Sequence, residues 1–161
     1  VMAISTPFWQ RIIGASLYLI PLSDAHQFAF YSGIANYHWI KTIFIATYPV
    51  AILESLFPLG LGSLILFIGL FLLVVRNNNI SYFLRFNTLQ AILLKIILSI
   101  TSYGLLIFFN PSLWETIIFK AICGAIVITM LSILAFVATQ CSRGIEPDLP
   151  GISQAVRMQI Y

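Results

Sequence analysis

Residues 76–95 read R-N-N-N-I-S-Y-F-L-R-F-N-T-L-Q-A-I-L-L-K, a basic, asparagine-rich turn running straight into an apolar helix that carries Asn, Gln and Lys. The apolar run continues through 83–109, and a second one follows at 114–140. Each exceeds the roughly 20 residues a helix needs to cross a hydrocarbon core. The turn between them is short and contains Pro111, so the two helices are antiparallel neighbours.

The rest of the chain agrees with that reading. Of its 161 residues, 60% are hydrophobic and 8% are charged, against about 25% charged in soluble domains. A small soluble domain cannot hide so much apolar surface from water, so the class is all-α and integral to a membrane. The net charge of +3 comes from only thirteen charged side chains, which is no signature of nucleic-acid binding. The chain starts at Val1, and the residues before Phe8 carry neither a signal peptide nor a transit peptide, so it reads as a mature or trimmed form. Cys123 and Cys141 lie on one helix, about 27 Å apart, and are expected as buried, unbridged thiols.

Working towards the N-terminus, residues 58–75 supply a further span closed by Arg76 and the Asn77–Asn79 run, and 12–32 supply one interrupted by Pro21, Asp24, His26 and Gln27. Between these, 40–57 carries a narrow polar stripe of Lys41, Tyr48 and Ser55 with Thr47 and Glu54 beside it. It is expected as an amphipathic helix at the interface or partly re-entrant, with a fifth span as the competing reading. The expectation is one membrane domain over 1–161, with four transmembrane helices, this interfacial helix, and a short surface tail at 142–161. Four spans put both termini on one side. That side holds Arg11, Arg76, Arg85, Arg143 and Arg157, whereas Lys41 and Lys120 lie opposite, so the termini face the cytosol-like compartment.

On the helix from 83, Arg85, Thr88, Lys95, Ser99 and Ser102 share one face, and Asn87, Gln90 and Thr101 another. Two polar stripes need partners: interhelical hydrogen bonds on one reading, a polar path or a docking subunit on the other. Lys95 lies about 15 Å deeper than Arg85 along the axis, where an unpaired ammonium costs about 2.5–3.5 kcal/mol. Asp24 reaches a similar depth from the same side, which predicts an Asp24–Lys95 ion pair with Glu54 as second candidate partner. Ala121, Gly124, Ala125, Ser132 and Ala135 form a small-residue face expected to pack closely on another helix. There is no H-E-x-x-H, phosphate-binding Gly loop or C-x-x-C, and His26 and His38 are too widely spaced for a metal pair on one helical turn. No catalytic residue, cofactor or metal site is expected. The Asn79 sequon falls on the untranslocated side and reads as a turn.

P-L-S-D-A-H-Q-F from Pro21, L-V-V-R-N from Leu73, Y-F-L-R-F-N-T-L-Q-A-I-L-L from Tyr82 and P-D-L-P from Pro147 together resemble the twenty-kilodalton Tic subunit family of the translocon at the inner envelope membrane of chloroplasts. The resemblance covers nearly the whole chain. It implies a four-helix, multi-pass protein of the inner envelope with stromal termini, acting in preprotein import and helping to form the conducting path. Implied partners are other Tic membrane subunits, the outer-envelope Toc channel through a supercomplex, and translocating preproteins. Arg85, Asn87, Gln90 and Lys95 are then the candidate channel-facing or partner-facing residues. Lys95 itself departs from the family, where an acidic residue is expected, and R-N-N-N replaces R-N-P. A small-solute or ion transporter and a non-conducting assembly scaffold are the alternatives.

Overall fold

A computed structural model describes residues 6–58 and 61–160. The first five residues of the segment read as trimmed, and two residues at the start of the expected 58–75 span, lie outside it. Among the described residues all regular structure is helical, in eight α-helices: α1 (Phe8–Ser16), α2 (Leu19–Ser32), α3 (His38–Ile45), α4 (Tyr48–Ser55), α5 (Gly62–Leu70), α6 (Tyr82–Phe108), α7 (Ile117–Ser142) and α8 (Ile152–Gln159).

Two breaks have the same cause. A proline ring displaces the carbonyl four residues before it and offers no N–H in return. Pro21 thus frees the Leu17 carbonyl, which accepts from Ile20 N at 3.1 Å, and the segment expected over 12–32 divides into α1 and α2. Pro49 acts likewise on Ile45, dividing the helix expected at 40–57 into α3 and α4. Gly33 ends α2 at φ +78°, a left-handed conformation that only glycine adopts without strain.

α6 and α7, with 27 and 26 residues, are each about 40 Å long. They are the two described helices both long and apolar enough to cross a membrane alone. Only 28% of each apolar window is buried inside the chain, unlike a soluble core helix, so most of that surface needs lipid or a partner. Ile100, Ile107, Phe108, Ile117 and Ile128 lie on it. Within the span expected at 58–75, the described helical residues are α5 and the wide turn Phe71–Val75 that extends it, 14 residues and about 21 Å. Alone, that falls short of a hydrocarbon core of about 30 Å.

Three apolar clusters hold the bundle. At the end near Gly33, Leu22, Phe28, Ile40 and Phe44 meet Phe119, Cys123 and Val127 of α7. In the half near the termini, Tyr18, Phe83 and Leu94 meet Val137 and Cys141. The third, around Phe86, Leu89 and Ile92, takes in Val156 and Ile160 from the C-terminal segment. The segment expected as a short surface tail is therefore a docked element, because α8 has one apolar face and α6 offers it a matching one. The small-residue face of α7 also departs from expectation. Gly124 alone of the five is buried, and Ala121, Ala125, Ser132 and Ala135 face outwards, because the larger Phe119, Cys123, Val127 and Val137 fill the interior.

Candidate functional site

Lys95 stands near the middle of α6 with its side chain 6% exposed. Nζ is 2.8 Å from Asp24 Oδ1 on α2 and 2.8 Å from Glu54 Oε1 on α4. Its aligned hydrogen bond is directed at Asp24; Glu54 Oε1 stands in ion-pair range without an aligned bond. Three helices thus converge on one ammonium, and the centre holds one more acidic group than basic ones. At such burial an attraction between opposite charges offsets the loss of hydration only when the geometry is close, as it is here.

The convergence depends on how α4 meets α5. A Cβ on Gly62 would overlap the Glu54 backbone carbonyl, so only glycine allows the hairpin to close and bring Glu54 to Lys95. A cavity of about 410 Å³ opens beside the centre between α5 and α6, lined among others by Ser63, Phe67, Lys95, Ser99 and Tyr103.

The other candidate residues on α6 turn to partners inside the chain. Asn87 is fully buried; its Nδ2 donates to Phe83 O at 2.8 Å, and its Oδ1 accepts from Tyr18 Oη at 3.2 Å and, at 3.6 Å, from Cys141 Sγ. It joins the α1–α2 break to α6 and α7. Gln90, also fully buried, donates from Nε2 to Ser153 Oγ at 3.2 Å, while Ser153 Oγ also accepts from Leu149 N at 2.7 Å. Arg85 donates from Nε to Val75 O at 2.8 Å and from Nη2 to Ile160 O at 3.2 Å. It neutralises carbonyls at the ends of the α5 extension and α8, where a cation is favoured. Arg11 does the same for α7, donating to Ser142 O at 3.1 Å. Residue types alone did not reveal Tyr18 and Ser153 as partners; the amphipathic pattern I-S-Q-A-V-R-M-Q at Ile152–Gln159 was the available signal.

Outside the bundle, burial pushes the Glu146 carboxyl above the usual glutamate range, with Arg157 opposing the shift and Asp148 adding to it. Among the described residues no group of three or more His, Cys, Asp or Glu side chains is placed to hold a metal ion.

The sequence model of the family described as chloroplast import apparatus Tic20-like matches residues 1–156. This chain belongs to the Tic20-like family. A Tic20 family protein of Synechocystis is 32% identical over 152 residues, covering 93% of this chain and 92% of the relative. Protein TIC 20-v, chloroplastic, of Arabidopsis thaliana is 29% identical over 151 residues, 93% of this chain and 70% of the relative. A third, protein TIC 20-II, chloroplastic, of the same plant, is 32% identical over 95 residues, 59% of this chain and 44% of the relative. Membership of a protein-import family and the apolar helices agree on a membrane protein of the import apparatus.

Proposed function

We propose that this chain is a membrane subunit of the chloroplast inner-envelope preprotein translocon, contributing one wall of the conducting path. Family membership supports the import role, and the observation that carries the wall is the ion-paired centre beside an open cavity between α5 and α6. Four crossings fit the geometry when α1–α2 form the first and α6 and α7 the last two. The second is shared: α3–α4 descend from the Gly33 end to the level of Lys95, and α5 completes the passage to Arg76. Irregular backbone at depth is tolerated where protein buries it or a cavity meets it. Both termini then lie in the stroma, and 1–161 forms one membrane domain.

So few crossings cannot enclose a wide pore, so other Tic membrane subunits complete it, with the Toc channel delivering preprotein from the outer envelope. Lys95 borders the cavity; Arg85 and Gln90 join that wall only when α8 lifts away, and Asn87 stays covered by Tyr18 and Cys141. We assign no catalytic role and no cofactor. The test is photocrosslinking of an arrested preprotein to probes at Ser99 and Tyr103, with Gln90 as the covered reference. Adducts at Ser99 and Tyr103 are expected. Labelling confined to other subunits would reduce this protein to a scaffold, and preprotein-independent solute flux through the purified chain would make it a transporter.

A further inference from the structure

A second cavity, of about 480 Å³, lies between α2 and α3–α4 at the end of the bundle away from the termini. Its polar lining is rich in donors. The Lys41 ammonium, the Asn36 amide, the Tyr48 hydroxyl and the His26 ring border it, and no carboxylate does. Ser23 and Thr47 also border it, but each hydroxyl donates to a carbonyl of its own helix, Ile20 O and Phe44 O. Among the described residues the side chains of Lys41, Asn36 and Tyr48 make no hydrogen bond or ion pair, and the His26 ring only meets the Phe44 ring at 5.1 Å. The other lysine at this end, Lys120, is already held by Glu115 at 2.6 Å.

The level of this cavity identifies its occupant. Tyr37 and Trp39, 62% and 59% exposed, flank it at the end where α2 turns at Gly33, and such aromatic residues mark the boundary between headgroups and hydrocarbon. Phe30 and Ile45 supply an apolar wall running inwards from that boundary. We propose that this cavity seats one anionic lipid, its phosphate facing Lys41 and Asn36 and an acyl chain lying along Phe30 and Ile45. A zwitterionic lipid fits poorly, since its own cation would face Lys41 with no carboxylate to receive it. The proposal does not depend on the import role.

The full chain, purified in detergent and titrated with phosphatidylglycerol or phosphatidylcholine, tests it by native mass spectrometry. One phosphatidylglycerol retained per chain, in preference to phosphatidylcholine, is the expected result. Lys41→Gln is expected to weaken that retention about fivefold, from the loss of one basic contact at the surface, and Lys41→Glu to weaken it further. Lys120→Gln, at the same end but outside the cavity, is expected to leave it unchanged. Equal retention of the two lipids, or retention that survives Lys41→Gln, overturns the site. Displacement of the lipid by millimolar inorganic phosphate overturns the lipid assignment in favour of a free-phosphate site.

Discussion

Lys95 is held by two carboxylates, and its removal leaves both of them without a cation inside the bundle. Lys95→Met is therefore expected to destabilise the protein by about 3–5 kcal/mol, because breaking a buried pair strands the remaining charge. Replacing all three members with leucine is expected to restore most of that loss, since apolar groups of similar size need no compensation there. Thermal unfolding in detergent, read for the single and triple variants, checks both statements, and equal loss in the two would show that the charges matter for packing alone. Ser153 holds Gln90 and Leu149 N together, so Ser153→Ala leaves a buried amide and a buried N–H unmatched, at about 1–3 kcal/mol. Glu146 responds to pH with a definite sign. Its folded-state pKa lies above the unfolded one, so its contribution to docking is full below the usual glutamate range and is lost as pH rises through the raised value. Protease sensitivity of the 145–151 segment is accordingly expected to increase from pH 4 towards neutrality, and Glu146→Gln to flatten that rise.

The divided helices are features of whole elements, and each has a residue that can be changed. Gly62→Ala places a methyl group on the Glu54 carbonyl, and forced overlap of that kind costs about 1–3 kcal/mol. Its more specific consequence is that α4 must shift, withdrawing Glu54 from Lys95; double-mutant coupling between Glu54 and Lys95, large in the parent, is expected to fall in the Gly62→Ala background. The α3–α4 pair distinguishes a flat helix from a descending one. If it descends, Lys41→Cys reacts with an impermeant thiol reagent from the side opposite the termini, whereas Ser55→Cys, close to the level of Lys95, is protected from both sides. Reaction of both from one side would return the pair to the interface. Pro21 was legible in the sequence as an interruption. The division of the 40–57 helix was not read from Pro49, because amphipathic periodicity carries on through a proline and masks the lost hydrogen bond.

At the scale of the molecule, a long antiparallel pair, α6 and α7, carries shorter and broken segments on its flanks. The terminal end is locked by arginines on helix carbonyls and by the docked α8, whereas the middle holds a polar centre beside a cavity. Tethering α8 to α6 through a disulfide between Gln90→Cys and Ser153→Cys is expected to abolish preprotein adducts at Arg85, with those at Ser99 and Tyr103 retained. Adducts at Arg85 in the tethered protein would show that substrate reaches that face without release of the tail.

Composition and apolar run length alone determined that the chain is helical and needs lipid, because no soluble domain of 161 residues can cover so much apolar surface with water-tolerant groups. Residue counts from Arg11 and Arg85 also put Asp24 and Lys95 at one depth, since rise per residue in a helix is fixed. Only the tertiary structure decided that Glu54 reaches the same ammonium, that Gln90 faces Ser153, and that Ile152, Val156 and Ile160 return to pack on α6. These outcomes join segments far apart in sequence, through a glycine crossing and an amphipathic face whose partners no local pattern specifies.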